Sequence, residues 1–152
     1  MAEIRTRHIF TITLNAGAAQ SLGATPAGEG RPVPVAGGTF EGEQMRGKVL
    51  DGGSDWITVR PDGTFVLDVR LVLQTDDGAR IGMTYRGLRH GPAEVLDKVA
   101  RGEPVDPALY YFRTAVVFQT GAAKYDWLTK VIAVGTGHRT AVGPVYDVFE
   151  VL

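Results

Sequence analysis

The stretch DGGSDWITVRPDG at residues 51–63 sets a carboxylate, Asp55, beside an indole, Trp56, between two glycine-bearing turns. A little further along, LDVRL at 67–71 places Asp68 and Arg70 two residues apart. An acid next to a guanidinium is the minimum equipment for moving a proton. The carboxylate takes or gives it, burial and neighbouring charge set its pKa, and the cation stabilises an oxyanion or grips a substrate carboxylate. Arg113, flanked by Tyr111 and Ala115 on its own strand face, supplies a second such cation, and Arg86 sits similarly between Thr84 and Leu88. The reaction class that fits is cofactor-independent: isomerisation, cyclisation, hydration or elimination on a small carbonyl-containing or aromatic metabolite. The same residues also fit a barrel that binds such a ligand without turnover, or a structural homo-oligomer. Asp55, Asp68 and Arg113 are the candidate catalytic residues. Trp56, Arg70, Tyr85, Arg86, Tyr111, Gln119, Tyr125 and Trp127 are the candidate ligand-binding residues, the tyrosines as hydrogen-bond donors and the tryptophans as walls for a ring. Asp55 also has a purely structural use, capping the turn that Gly52 and Gly53 permit.

Other chemistries lack their residues. No cysteine is present, so thiolate nucleophiles, thiolate metal sites and disulfides are absent together. His8, His90 and His138 lack the paired spacing of a metal site. Ser54 follows two glycines but lies in no nucleophile elbow, and GTGHRT at 135–140 has no βαβ unit around it to hold a nucleotide. Neither a metal nor a cofactor is expected. A formal charge of -1 with no basic segment argues against nucleic acid. Apolar runs such as AVVF and VIAV are far too short to span a bilayer as helices, and MAEIRTRHIF carries charges where a signal peptide needs an apolar stretch. A cytoplasmic protein with no membrane association is the expectation.

The elements that must position these residues are strands. Runs rich in Val, Ile, Thr, Phe and Tyr occupy 9–14, 31–40, 47–50, 56–60, 64–74, 80–88, 110–119, 131–135 and 145–151, with turn clusters such as PDG and DDG between them. So many short strands in 152 residues predict an all-β chain forming one domain over 1–152, a closed antiparallel β-barrel of about eight to nine strands. One short helix is expected at about 92–101, opened by Pro92 and stopped by Gly102, with a further helical turn at 123–128. Residues 15–38, with 15 Gly, Ala or Pro among 24, are expected to form a mobile lid or an arm onto a neighbouring subunit. Period-two alternation leaves one question open. If the apolar face of 64–74 lines the interior, Asp68 and Arg70 face solvent; if it faces outward, they line a cavity.

GATPAGEGR at 23–31, GGTFEG at 37–42, GKVLDGGSDW at 47–56, LDVRLVLQTDDGARI at 67–81, YYFRT at 110–114, YDWL at 125–128 and the spaced VG-G-R at 134–139 run in order through the chain. In these features the chain resembles the uncharacterised family DUF3237, or UPF0311. The resemblance implies a compact antiparallel barrel that associates into homo-oligomers; the small-molecule ligand is an expectation of the charged strand residues alone. It assigns no activity. Two positions depart from the family pattern: Gln119 stands where a glutamate is expected and Thr129 where an asparagine is expected.

Overall fold

Strict alternation of buried and exposed side chains is the main architectural instruction. In Tyr111–Gln119, for example, Phe112, Thr114, Val116 and Phe118 turn inward while Tyr111, Arg113, Ala115, Val117 and Gln119 turn out. The computed structural model describes residues 1–152. In chain order it contains β1 (Thr6–Ala16), β2 (Gly23–Thr25), β3 (Gly28–Glu41), β4 (Arg46–Val49), β5 (Gly53–Val59), β6 (Phe65–Thr75), β7 (Arg80–His90), α1 (Ala93–Ala100), β8 (Tyr111–Gln119), β9 (Ala133–Arg139) and β10 (Pro144–Val151). Every strand pairing is antiparallel, and the order β1-β10-β9-β8-β7-β6-β4-β3 closes because β1 also pairs with β3. The expected closed barrel is therefore present: eight strands form the ring, and β2 and β5 are two further strands paired with β3.

The closure depends on one bend. β3 pairs with β5 from Glu29 to Val35 and with β4 from Gly38 to Glu41, so β4 and β5 share the gap between β3 and β6. The switch falls at Gly37 and Gly38, both at positive φ, and a Cβ on Gly38 would lie 2.1 Å from the Thr13 carbonyl oxygen. Only glycine fits there.

Residues 15–38 correct the expectation of a mobile lid. Most of the segment joins the sheet: β2 forms a hairpin with the start of β3, and the amides of Gly17, Gln20 and Leu22 donate to the carbonyls of Pro34, Pro32 and Gly30. Small residues here serve close backbone approach rather than mobility; a Cβ on Gly28 would lie 2.4 Å from the Val59 carbonyl oxygen. The helix is as expected, with Pro92 just before its first residue and Gly102 in the left-handed region after it. Its Val99 is buried, and Val95 and Leu96 pack on the core. The second helical segment is a 3₁₀ helix over Ala123–Lys130. No helix is long and apolar enough to cross a membrane.

The interior has two different ends. At one, Phe10, Phe40, Phe118, Leu73, Ile81 and Leu128 fill the interior, each 0–6% exposed. At the other, where β3, β5, β7, β9 and β10 open toward α1, the interior holds charge and empty space.

Candidate active site

The open end encloses a chamber of about 290 Å³. Its apolar walls come from Leu14 of β1, Val33 and Val35 of β3, Ile57 of β5 and Phe65 of β6, and Val99 and Ala100 of α1 border it. Into this apolar setting project one carboxylate, Asp55, and three guanidiniums, those of Arg31, Arg89 and Arg139, together with the phenol of Tyr85. Asp55 and Ile57 point in from β5, whereas Trp56 between them is 57% exposed on the outside.

Asp55 is held by an interruption in the sheet. β5 and β6 pair at Asp55 with Val69 and again at Thr58 with Val66, but not between. In that gap the Asp68 amide donates to Asp55 Oδ1 at 3.2 Å. Burial pushes the Asp55 carboxyl up to about 7; the Asp68 amide and the Arg89 and Arg139 charges oppose the shift, and the Asp68 carboxylate adds to it. The result is a side chain that is half ionised near neutral pH.

Arg89 ends the inward row Ile81, Met83, Tyr85, Gly87, Arg89 of β7, between Phe65 and Phe112 in register. Its guanidinium carbon lies 4.2 Å from the centre of the Phe65 ring and 5.5 Å from that of Phe112. Such stacking occupies the flat face of the cation and leaves its in-plane donors for other partners. Arg89 Nε has no hydrogen-bond partner. Burial, and then the charge of Arg139, lower the Arg89 pKa. Arg139 closes β9 opposite Pro144, its amide donating to Tyr110 Oη at 2.9 Å. Behind Tyr85 lies Tyr146, with ring centres 5.2 Å apart; its buried hydroxyl makes no hydrogen bond of ordinary geometry. Burial raises the pKa of both phenols, and Tyr85 beside it partly opposes the shift of Tyr146, so both remain protonated donors at neutral pH.

Of the residues singled out from sequence, the chamber brings together Asp55 and Tyr85. The others lie elsewhere. The apolar face of β6 points inward, so Asp68 and Arg70 face outward, Asp68 in a solvent-exposed pair with Arg86 at 3.5 Å. The expected convergence of Asp68, Arg70 and Arg113 in a cavity therefore does not occur. Arg86, Tyr111 and Arg113 do share a depression, but it is the shallow outer surface of β6 to β9. There the Arg113 guanidinium donates to the Phe112 carbonyl oxygen at 2.9 Å and lies over Tyr111. Gln119 also faces outward, so the family departure at this position does not reach the chamber; Thr129 is exposed on the 3₁₀ segment. Tyr125 and Trp127 belong to the filled end, Tyr125 donating to Asp77 and Trp127 packing on the core.

Arg31, Arg89, Arg139 and Tyr146 were missed, and for three of them a signal existed. Extending the alternation by one or two steps places Arg89 in phase with Tyr85 and Arg139 in phase with Ala133 and Gly135, while Tyr146 already falls within the expected 145–151 run, in phase with Val148. For Arg89 and Arg139 the decisive fact was where the strand ended.

A closed antiparallel barrel, filled at one end and carrying an enclosed acid with cations at the other, is the class that fold and site define. The chain belongs to the family described as Protein of unknown function (DUF3237), whose model matches residues 4–151. A UPF0311 protein of Rhodopseudomonas palustris is 41% identical over 98% of this chain and 97% of its own length. A crystal structure of a conserved protein of unknown function from Rhodopseudomonas palustris has a TM-score of 0.96 at 40% identity, covering 100% of both chains. A β-barrel-like protein from Acinetobacter baumannii has a TM-score of 0.87 at 37% identity over 100% of this chain and 98% of that one. More distantly, a hydroalkoxylation enzyme of Penicillium herquei is 32% identical over 67% of this chain and 53% of its own length. An enzyme structure from the same organism shares the fold, with a TM-score of 0.76 at 24% identity over 100% of this chain and 97% of that one.

Proposed function

We propose that the chamber is the site of a cofactor-independent proton-transfer reaction on a small carbonyl-containing or aromatic compound, with Asp55 as the acid and base. The observation that carries this reading is the position of Asp55. It is the sole carboxylate lining an apolar chamber, and its pKa of about 7 suits both accepting and returning a proton at neutral pH. Tyr85, held protonated, is the donor for a substrate oxygen. The name of the distant Penicillium relative supports the same economy. Hydroalkoxylation adds O–H across a carbon–carbon double bond, so a proton leaves oxygen and a proton reaches carbon, and a single carboxyl group that cycles between its two forms can serve both transfers. The volume of about 290 Å³ suits a one- or two-ring compound.

The test is deuterium incorporation. Purified protein is incubated in D₂O with a panel of enolisable ketones and hydroxyaryl alkenes, and carbon-bound deuterium is followed by NMR. Protein-dependent incorporation or ring closure, reduced roughly a hundredfold or more in Asp55→Asn, supports the proposal. Equal rates in Asp55→Asn and wild type would remove Asp55 from the chemistry. Saturable binding without any incorporation would favour the second reading of the same chamber, a ligand-binding barrel without turnover.

A further inference from the structure

Resting on the chamber as the substrate site, we infer that the compound it receives carries a carboxylate, held by the guanidiniums of Arg89 and Arg139 while its apolar body lies against Val33, Val35 and Ile57. The first support is an excess of positive charge. Of the three guanidiniums lining the chamber, that of Arg31 is paired with Glu29 at 3.2 Å, but those of Arg89 and Arg139 pair with no acid in the chain. Against them stands only Asp55, and its burial favours the uncharged form. Two cations in a partly desolvated space without a matching anion are unfavourable unless a ligand supplies one.

The second support is the state of Arg89. This side chain is buried, with the residue only 9% exposed, and its Nε lacks a partner. Buried guanidiniums are normally saturated with acceptors, so an incompletely bonded one on a cavity wall has donor capacity to spare; Nε itself is closed to solvent, so an entering acceptor would meet the terminal nitrogens. The third support is orientation. Phe65 takes the flat face of Arg89 at 4.2 Å, which leaves the edge of the guanidinium for planar, two-point contact with a carboxylate. Arg139, at the end of β9 and half-buried, offers the second cation from the rim. The walls set the remainder of the ligand: they are aliphatic and aromatic, and the space admits one or two rings.

The inference is tested with trans-cinnamate and its neutral counterpart cinnamamide, titrated into the full-length protein by calorimetry. Cinnamate is expected to bind roughly ten- to a hundredfold more tightly than cinnamamide. Arg139→Gln, a change at a half-buried rim position, is expected to erase most of that preference by weakening cinnamate far more than cinnamamide. Arg89→Lys keeps the charge but loses the planar fork, and is expected to weaken cinnamate more than cinnamamide. Equal affinity for acid and amide, absence of saturable cinnamate binding, or a preference for cinnamate that survives both substitutions would overturn the inference. Asp55→Asn separates this result from the proposed reaction. If the variant discriminates between the two probes but wild type transfers no proton, the carboxylate site stands and the catalytic reading falls; if proton transfer is lost in Asp55→Asn while the probes bind equally, the reverse holds.

Discussion

The two ends of the barrel are built from the same strands and obey opposite rules. At the filled end, aromatic and aliphatic side chains occupy the whole interior, and its polar groups sit at the edge with partners. Asp77 there accepts from Thr75, Tyr125 and Lys124, and these bonds, Thr75 first, hold its carboxyl down to about 2. At the chamber end, charged groups point inward, space is left open, and Asp55 moves in the other direction, to about 7. The acids are chemically identical, and the difference is solvent and partners. Saturating an exposed carboxylate with donors favours its ion, while enclosing one among apolar walls favours its acid. A protein stabilises itself with the first arrangement and reserves the second for places where ligands enter.

The same substitution made at each end tests this contrast most directly. Leu128 and Leu14 are 0% and 2% exposed, but only Leu14 borders the chamber. Leu128→Ala is expected to lower stability by about 4–5 kcal/mol, the upper part of the range for creating a cavity, and Leu14→Ala by about 2–3 kcal/mol, because its methyls already border empty space. Urea unfolding measures both, and equal losses would mean that the chamber end is packed as tightly as the other.

Asp55→Asn sharpens the comparison through pH. The folded carboxyl titrates near 7 and the unfolded one near the ordinary aspartate value of 3.8, so between those values the native state holds the extra proton. Stability conferred by wild-type Asp55 is therefore greatest below about pH 4 and falls as pH rises to about 7. The asparagine variant lacks that slope. It is expected to match wild type near pH 4 and to exceed it by roughly 2–4 kcal/mol at pH 8, with denaturant unfolding at a series of pH values as the measurement. A parallel pair of curves would show that Asp55 is solvated.

Smaller effects are expected at the edges. Tyr125→Phe removes the donor to Asp77 at the filled end and is expected to cost about 1 kcal/mol, read as a lowered urea midpoint with an unchanged slope. Arg86→Ala breaks the outer pair with Asp68 and is expected to change stability by less than about 0.5 kcal/mol, since both partners are well exposed. It should also leave proton transfer intact. A large loss of activity in this variant would return attention to the outer depression shared by Arg86, Tyr111 and Arg113.

Local pattern was enough to place nine of the ten strands, the hairpin glycines, the helix between Pro92 and Gly102 and closure into a barrel, because these follow from alternation and from backbone conformations that particular residues permit. The missed strand, β2, is three residues of Gly, Ala and Thr, without the side chains that announce a pleated surface. Asp55 and Tyr85 were legible as candidates, one from its turn and indole neighbours and the other from its residue type.

What sequence alone determined, then, is the period of each strand and hence which residues share a face. Which face is the inside was decided only by tertiary structure. A single strand such as β6 has an apolar face and a charged one, and either can be enclosed until the other strands commit their own faces to a common interior. Once Leu67, Val69, Leu71 and Leu73 pack against Phe10, Met83 and Val116 in one core, Asp68 is carried outside and contributes its amide, not its carboxylate, to the site. Arg89, Arg139 and Asp55 lie far apart in the chain and on three strands; only closure of the sheet puts their charges into one poorly solvated space, where proximity and loss of water give them their chemistry.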